Sequence, residues 1–279
     1  MNTITRRNDI VKRVKKEGSI DVEGLAVAYG VSVETVRRDL RYLDDKGLIK
    51  RTYGGAVKRE RTTWDMPYNQ RILFQKDLKE AIAREAVKQL ENGDSIYIDG
   101  NTTCVILSRF IPPDLELSIV TNSLHIAWIL KQHGGRMTIY LVGGELGQEG
   151  MTFGHKLIME MKQYQFDKVF FSCMGINAKG CYYSKWEPML TAQTAAEHAN
   201  RVILLADSSK MNRNGFLFGL DHKSIDCLVT DEGAPEPLLD KLRESIEQVI
   251  TVPVTENSNA ANSDQGSWPL DSPILIKEE

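Results

Sequence analysis

Residues 77–252 alternate between helical and strand patterns, and this alternation restricts the folds available to that part of the chain. Ile82, Ala86 and Leu90 recur at helical spacing and precede a short apolar run at 95–98, after which helix and strand patterns repeat. Further strands are predicted at 117–120, 137–142, 168–172, 202–206, 227–230 and 248–252. Strands that alternate with helices favour a mainly parallel sheet with helices on both faces. The sequence therefore predicts an α/β domain.

Residues 32–41, with the sequence SVETVRRDLR, form a different pattern. Ser32 is a suitable N-cap, and Val36 and Leu40 place an apolar stripe on one side of the predicted helix. The other side carries Thr35, Arg37, Arg38 and Arg41. The rigid fork of donors on arginine suits phosphate oxygens and the acceptor edge of guanine. This segment is therefore typical of a helix that reads DNA.

The flanking segments complete a winged helix-turn-helix pattern. A basic helical stretch at 6–16 and a short helix after Asp21 precede the arginine-rich helix, with Gly30 at the turn between the last two. Two short strand patterns then follow around Gly54 and Gly55. A basic hairpin of this kind can lie against a phosphate backbone. The candidate DNA contacts of this wing are Arg51, Tyr53 and Lys58.

Charge is unevenly distributed along the chain. Residues 1–61 contain 15 Lys and Arg against 9 Asp and Glu, whereas the remaining chain contains 20 against 29. This asymmetry indicates that the N-terminal part meets a polyanion and the remainder does not. A run of charge can also be a solvated face, but the arginine-rich helix and the basic wing together favour DNA binding. The expected partner is double-stranded operator DNA.

Polar residues follow the predicted strands, at the edge where parallel sheets bind their ligands. After 95–98 come Asp99 and Asn101, and then Thr102 and Thr103, whose hydroxyls and helix-start N–H groups can cradle a phosphate. The other strand ends supply Thr121, Asn122, Ser123, Gly143, Gly144, Gly175, Asn177 and Lys210. Turn formation and helix capping explain each end taken alone. Their convergence on one edge, with Lys210 among them, favours an anionic ligand.

Residues 5–60 resemble the winged helix-turn-helix of the DeoR family of bacterial transcription regulators. The matching residues are Thr35, Val36, Arg37, Arg38, Asp39, Leu40, Leu43, Gly47, Leu48, Ile49, Arg51, Gly54, Gly55 and Ala56. The resemblance implies that Arg37 and Arg38 lie at the DNA surface. It also implies that Asp39 holds a neighbouring arginine in place instead of touching DNA.

The resemblance extends over nearly all of residues 1–252, and the second part resembles the DeoR sensor domain. That domain shares the fold of ribose-5-phosphate isomerase and typically binds a phosphorylated sugar. The matching motifs are residues 99–103, 121–123, 143–144, 153–154, 175–176, Gly180, Glu187, 207–210 and 230–231. By this resemblance, Asn101, Thr102 and Thr103 hold the phosphate and Lys210 neutralises it or lies near the sugar. The residues implied to meet sugar hydroxyls are Asn122, Asn177 and Glu187.

The chain departs from the family pattern on the helix that follows Glu187. The family commonly has a lysine there, whereas this chain has Ala192 and Gln193. The departure leaves the identity of the sugar open. Residues 171–173 and 212–215 resemble the fucose-operon regulators within the family, which is too short a likeness to name a ligand.

These observations predict a winged helix-turn-helix over 1–61, a linker over 62–76, a sugar-phosphate sensor and oligomerisation domain over 77–252 and a disordered tail over 253–279. We expect a homo-oligomeric regulator, because a single winged helix reads few bases. We expect it to repress a carbohydrate operon, because repression is the commoner behaviour in the family that the chain resembles. One alternative is an isomerase-like enzyme that carries a DNA-binding domain, since Asp99, Glu187 and Lys210 offer acid–base chemistry. Another is a DNA binder that uses its large domain only to form oligomers.

No catalytic residue, metal site or cofactor is predicted. The four cysteines and five histidines lack the spacing of metal ligands. The chain contains no apolar run long enough to cross a membrane, and its basic N-terminus is too polar for a secretory signal. These features predict a cytoplasmic protein with reduced thiols and no membrane partner.

Overall fold

The structure, a computed structural model, describes residues 2–46, 48–52, 54–57, 62–63 and 65–253. It divides into two compact units, Met1–Trp64 and Asp65–Glu279. The tail predicted from residue 253 onwards, apart from its first residue, lies outside the described residues, as do Tyr53 and Lys58 of the predicted wing.

The first unit combines helices with a short antiparallel sheet. Its helices are α1 (Thr3–Glu17), α2 (Val22–Tyr29) and α3 (Val33–Asp45), and its strands are β1 (Ser19–Asp21), β2 (Lys50–Arg51) and β3 (Gly55–Val57). The strand order is β1-β3-β2, and β1 is an addition to the two strands that the sequence predicts. A Cβ atom on Gly55 would lie 1.9 Å from the Ile20 carbonyl oxygen, so glycine is what lets β1 and β3 approach each other.

The predicted caps and apolar stripes build this unit. The Asp21 side chain caps α2 by accepting a hydrogen bond from the Gly24 N–H, and α2 ends at Gly30 in the left-handed region with φ of 61°. One apolar cluster joins the three helices to the sheet. Its buried members include Ile10, Val14, Leu25, Val36, Leu40, Leu43, Ile49 and Ala56. The winged helix-turn-helix arrangement predicted from the sequence is confirmed.

The second unit contains a larger set of elements. Its helices are α4 (Tyr68–Arg71), α5 (Lys76–Ala86), α6 (Thr102–Ser108), α7 (Leu124–His133), α8 (His155–Met161), α9 (Trp186–Glu197) and α10 (Glu236–Arg243). Its strands are β4 (Ser95–Ile98), β5 (Ser118–Thr121), β6 (Thr138–Leu141), β7 (Glu145–Leu146), β8 (Thr152–Phe153), β9 (Phe166–Phe171), β10 (Gly175–Asn177), β11 (Gly180–Tyr183), β12 (Ala199–Leu205), β13 (Leu217–Asp221), β14 (Cys227–Asp231) and β15 (Gln248–Val252). Single 3₁₀ turns cover Val87–Gln89, Ser208–Lys210 and His222–Ser224.

A seven-stranded parallel sheet forms the centre of this unit, in the order β15-β14-β12-β9-β4-β5-β6. One of its faces packs through Tyr97 and Val169 against a cluster that includes residues of α8, α9 and α10. The other face packs through Ile96 and Phe170 against residues of α5, α6 and α7. The predicted parallel sheet with helices on both faces is confirmed. Because all of its strands run the same way, their carboxyl ends meet at one edge.

A second sheet in this unit corrects one prediction. The sequence places Gly175 and Asn177 in a polar turn after a strand, whereas both lie within β10, in an antiparallel sheet of order β10-β11-β13. Both residue types favour turns, which hides the strand from a reading of local composition. Close packing explains the glycine, because a Cβ atom on Gly175 would lie 2.3 Å from the Arg213 carbonyl oxygen.

The segment predicted as a linker, residues 62–76, contains regular structure. It includes α4 and the first residue of α5. From Asp65 onwards the chain belongs with the second unit. This part of the segment is therefore packed on the α/β unit.

Candidate DNA-binding and effector sites

Helix α3 separates an apolar side from a basic side. The Ser32 hydroxyl caps it by accepting a hydrogen bond from the Thr35 N–H at 3.2 Å. Val36 and Leu40 are buried against the other helices, whereas Ser32 is exposed and Thr35 is half-buried. Exposed arginines on this helix are Arg37, Arg38 and Arg41. Three guanidinium groups thus face solvent on a helix that the apolar stripe holds in place.

Asp39 is the buried polar residue of α3. Its carboxylate accepts hydrogen bonds from Arg6 Nε at 2.7 Å and from Arg7 Nε at 2.6 Å. The Asp39 side chain is 2% exposed and that of Arg6 is 7% exposed. The Arg7 guanidinium also lies 3.8 Å from the centre of the Tyr42 ring. Asp39 therefore holds arginines, as the family resemblance implies, and these arginines come from α1.

The wing consists of β2 and β3. Arg51 is half-buried on β2, and Lys50 beside it is exposed. Tyr53 and Lys58, the other candidate wing contacts, lie outside the described residues. The described part of the wing therefore carries two cations, and it follows the recognition helix in the sequence.

The carboxyl ends of β4, β9 and β12 supply the charged groups of the candidate effector site. Lys210, on the turn after β12, donates a hydrogen bond from Nζ to Ser172 Oγ at 2.5 Å, at the end of β9. The same Nζ lies 3.9 Å from the Asp207 carboxylate. Asp99 follows β4, and its backbone N–H donates to the Phe170 carbonyl oxygen at 3.0 Å, two residues before Ser172. The structure therefore brings Asp99 and Lys210 into one neighbourhood.

Asp99 is almost completely buried, with 4% of its surface exposed. Its carboxylate accepts a hydrogen bond from Asn101 Nδ2 at 2.6 Å. Burial raises the pKa of Asp99 from 3.8 to about 6, although hydrogen bonds from Asn101 and from the Gly100 backbone oppose part of that rise. The group can therefore accept or donate a proton close to neutral pH.

The raised pKa of Asp99 predicts a pH-dependent stability. Well below pH 3.8 the carboxyl is protonated in both states. Between about pH 4 and pH 6 it ionises in the unfolded chain but stays largely protonated in the folded one, which lowers the free energy of unfolding by about 3 kcal/mol. We expect the free energy of unfolding of Asp99→Asn, relative to the unchanged chain, to rise by about that amount over this pH range. Urea unfolding at several pH values measures the difference. Asp114→Asn, which alters an exposed carboxylate, is the control, and a difference for Asp99→Asn that is constant with pH would contradict the assignment.

The start of α6 differs in part from the predicted phosphate cradle. The Asn101 side chain caps the helix and accepts a hydrogen bond from the Cys104 N–H at 3.2 Å, so that backbone donor is already paired. Thr102 and Thr103 are 2% and 0% exposed. The Thr103 hydroxyl has no hydrogen-bond partner among the described residues, and a buried polar group without one lowers stability. An incoming acceptor could satisfy that hydroxyl.

The polar residues at the end of β5 and directly after it are paired within the chain. The Thr121 hydroxyl donates to the Ile98 carbonyl oxygen at 2.7 Å, and Asn122 Oδ1 accepts from the Gly100 N–H at 3.0 Å. Ser123 caps α7, and all three side chains are fully buried. They join the end of β5 to the end of β4 and so support the site from within.

The remaining candidates lie further along the edge or on the second sheet. Gly143 donates its N–H to the Glu160 carboxylate at 3.1 Å, and Gly144 after it is exposed. In the β10–β11 hairpin, Asn177 Nδ2 donates to Asn214 Oδ1 at 2.7 Å. Glu187 is exposed in the first turn of α9. No hydrogen bond or ion pair within the described part of the chain links these candidates to Asp99 or Lys210.

The two candidate positions for the lysine expected from the family pattern, Ala192 and Gln193, have structural roles here. Ala192 is 1% exposed and belongs to the core beneath the sheet. Gln193 Nε2 donates to the Gly219 carbonyl oxygen at 2.7 Å. A lysine at position 192 would have to displace core side chains.

Lys79 of α5 is a buried cation that the sequence reading missed. It is 1% exposed, and burial together with the nearby Lys210 ammonium lowers its pKa from 10.5 to about 8. Its Nζ donates hydrogen bonds to the carbonyl oxygens of Arg71 and Phe74. The sequence did contain a signal for the burial of Lys79, because this residue precedes Ile82 by three positions and so lies on the same apolar stripe of the helix.

Comparison with known proteins identifies both units. Residues 6–62 match the DeoR-like helix-turn-helix domain, and residues 75–232 match the DeoR C-terminal sensor domain. The chain belongs to the DeoR family. It is 31% identical over 253 residues to the glycerol-3-phosphate regulon repressor of Escherichia coli K12, covering 90% of this chain and 96% of that protein. The putative aga operon transcriptional repressor of Escherichia coli O157:H7 is 29% identical over 254 residues, covering 90% and 94%.

Solved structures give a coarser likeness to this DeoR-family protein. Ribose 5-phosphate isomerase A from Methanocaldococcus jannaschii is 17% identical, with a TM-score of 0.37, covering 49% of this chain and 55% of that one. Translation initiation factor eIF-2B from Pyrococcus horikoshii OT3 is 11% identical, with a TM-score of 0.41, covering 81% and 86%. Neither likeness bears on the function of the chain.

The family assignment decides between the two functions considered for this chain, a transcription regulator and an isomerase-like enzyme. The DeoR-family protein is a DNA-binding transcription regulator, so the predicted regulator is confirmed and the isomerase-like enzyme is not supported. None of the helices described is long and apolar enough to span a membrane. Within the residues that the structure describes, no group of three or more His, Cys, Asp or Glu is placed to hold a metal ion.

Proposed function

We propose that this regulator represses a carbohydrate-utilisation operon in the cytoplasm and that a phosphorylated sugar controls it. The lactose phosphotransferase system repressor of Staphylococcus epidermidis, 31% identical over 255 residues, and the two repressors named above support repression of such operons. In this proposal residues 1–61 bind DNA, residues 62–76 link the domains, and residues 77–252 bind the effector and form the oligomer. The tail over 253–279 has no assigned role.

The DNA contacts proposed for this regulator come from α3 and the wing. The α3 side chains enter the major groove, where guanidinium groups suit guanine and phosphate acceptors, and the wing follows the phosphate backbone. The contacting residues are Ser32, Thr35, Arg37, Arg38, Arg41, Arg51, Tyr53 and Lys58. A dimer supplies two such units and a tetramer four, and symmetric half-sites then give the specificity that one unit lacks.

Substitution of Arg37 or Arg38 tests the recognition helix. We expect Arg38→Ala and Arg37→Ala each to weaken operator affinity about 10- to 100-fold, since each removes an exposed charge-assisted donor. The assay is a gel-shift titration on duplexes that the unchanged protein selects from a random pool. Arg243→Ala, on α10 of the other unit, is the control. Unchanged affinity in both α3 variants would exclude this helix as the reading element.

The position of Lys210 is the main support for the proposed effector site. The Lys210 side chain is 13% exposed at the junction of the β9 and β12 ends, next to the β4 end that carries Asp99. Its charge adds to the effect of burial in lowering the pKa of Lys79. A phosphate at Lys210 would gain charge-assisted hydrogen bonds and relieve the repulsion between the two ammonium groups. The carboxyl of Asp99 suits a sugar hydroxyl, and Thr103 offers a hydroxyl donor. The further proposed contacts are Asn101, Thr102, Thr121, Asn122, Ser123, Gly143, Gly144, Gly175, Asn177 and Glu187.

A thermal-shift screen tests the effector class. The purified protein is heated with a panel of sugar phosphates and with each unphosphorylated parent sugar. We expect one phosphate to raise the melting temperature where its parent sugar does not, because a ligand that binds only the native state stabilises it. A protein that responds to no member of the panel would contradict the proposal and favour a DNA binder whose second unit only forms oligomers.

A further inference from the structure

Specific side-chain contacts attach residues 65–75, called the connector from here on, to the second unit. The connector follows the DNA-binding unit in the chain and contains α4. Arg71 Nη1 binds the Asp65 carboxylate at 2.5 Å, within the connector, and Arg71 Nη2 binds the Glu149 carboxylate at 2.6 Å. The Tyr68 ring stacks on His125 of α7 with 5.5 Å between ring centres.

Glu149 belongs to a hairpin that rests on the ends of β4 and β5. This hairpin, formed by β7 and β8, closes through a hydrogen bond from the Gly147 N–H to the Met151 carbonyl oxygen at 2.8 Å. The Met151 side chain packs on Gly100, where an added Cβ atom would lie 2.4 Å from the methionine sulfur. The hairpin also donates the Thr152 N–H to the Asn122 carbonyl oxygen at 2.8 Å. The partner of Arg71 therefore sits on an element in contact with the candidate effector site.

Lys79 holds the connector from the interior. Helix α5, which carries it, packs against α6 and against strands β12 and β14, whose ends border the same site. Its ammonium donates to the carbonyl oxygens of Arg71 and Phe74, and the charges of Lys210 and Asp207 act on it. Thus the backbone of Arg71 is held by a buried cation on α5, and its guanidinium is held by the hairpin that contacts the site.

We propose that Arg71, through its ion pair with Glu149, couples the effector site to the connector and so to the DNA-binding unit that precedes it. This inference rests on the proposed function. A ligand among Asp99, Lys210 and Thr103 would lie next to the hairpin, so an arrangement of the hairpin and of Glu149 that makes room for the ligand binds it more tightly than one that does not. A ligand shifts a conformational equilibrium only through such a difference. The side chains of Arg71 and Glu149 are 20% and 26% exposed, which leaves the pair free to break without opening the core.

Hydrogen exchange of the full chain tests the coupling, with inorganic phosphate as the probe and chloride at matched ionic strength as the reference. In the unchanged chain, we expect phosphate to slow exchange in peptides at 99–108 and 207–212 and also to change exchange in the connector. In Glu149→Gln we expect the site peptides to respond as before and the connector response to be lost. Without phosphate, connector amides of this variant should exchange about fivefold faster, since a partly exposed ion pair is gone.

Arg71→Gln should also lose the connector response, and because it removes the pair with Asp65 as well, its connector amides should exchange at least as fast as those of Glu149→Gln. Adding Glu149→Gln to Arg71→Gln should change the connector response little further, because the pair that the two residues share is already gone. Arg243→Gln breaks an ion pair with Glu236 on α10 and should leave both responses intact. A normal connector response in Glu149→Gln would contradict the coupling but not the proposed function. The same holds if, in the unchanged chain, the site peptides respond to phosphate and the connector does not. A site that ignores phosphate in the unchanged chain would contradict the proposed function and, with it, the inference.

Discussion

Asp39→Ala is expected to unfold the DNA-binding unit at room temperature. The Asp39 carboxylate is buried and accepts hydrogen bonds from Arg6 and Arg7, so its removal leaves a guanidinium in the interior with no counter-charge. Removing one partner of a buried ion pair costs about 3–5 kcal/mol. A unit of about 60 residues has a total stability near the lower end of about 5–15 kcal/mol. The loss is therefore comparable to the whole stability of the unit.

Circular dichroism during urea unfolding, together with operator titration, measures this effect. We expect the loss of a helical fraction that corresponds to α1, α2 and α3, no operator binding, and an unchanged transition for the second unit. Asp45→Ala removes an exposed carboxylate of the same helix and is the matched control. If Asp39→Ala melts and binds DNA as the unchanged chain does, the buried carboxylate does not hold the helices together.

Lys210→Ala is expected to abolish the response to the effector. The ammonium is the cation placed at the end of β9 by its hydrogen bond to Ser172, and a hydrogen bond between a lysine and a phosphate contributes about 1.5–3 kcal/mol. Affinity for the sugar phosphate that stabilises the unchanged chain most should therefore fall about 10- to 100-fold. Titration calorimetry gives the affinity, and operator release at a fixed effector concentration gives the response.

The fold is expected to survive this change, because Asp207 beside Lys210 still has the Ser209 N–H and hydroxyl as hydrogen-bond donors. Operator affinity without effector should therefore stay the same. Lys223→Ala, which removes an exposed lysine from another 3₁₀ turn after a strand, is the control. An effector affinity for Lys210→Ala equal to that of the control would show that the phosphate binds elsewhere.

Local sequence patterns were sufficient to predict most of the longer helices and the strands of the parallel sheet. Apolar spacing of three and four residues predicts α3 and α5, and capping side chains such as Ser32 and Asp21 set the helix starts. Apolar runs predict the strands of the parallel sheet, since a strand buried on both faces is apolar along its length. The parallel direction of those strands then placed Asp99 and Lys210 at one edge.

Elements without a strong local pattern were missed. The strand β1 is three residues long, and β10 consists of turn-favouring residues around Ile176. Each forms because a partner strand far along the chain supplies its hydrogen bonds, as β3 does for β1. A reading of neighbouring residues contains no information about such a partner.

The sequence by itself determined the two-part organisation, the basic face of α3 and the polar strand ends, because these depend on residue type and on spacing within one element. Only the tertiary structure decided which of the polar groups are paired internally. It turned Thr121 and Asn122 inward, buried Lys79 against the carbonyl oxygens of Arg71 and Phe74, and joined Arg71 to Glu149 across 78 residues of chain. The physical reason is that a hydrogen bond or an ion pair acts over a few ångströms, and packing alone brings residues distant in sequence within that reach.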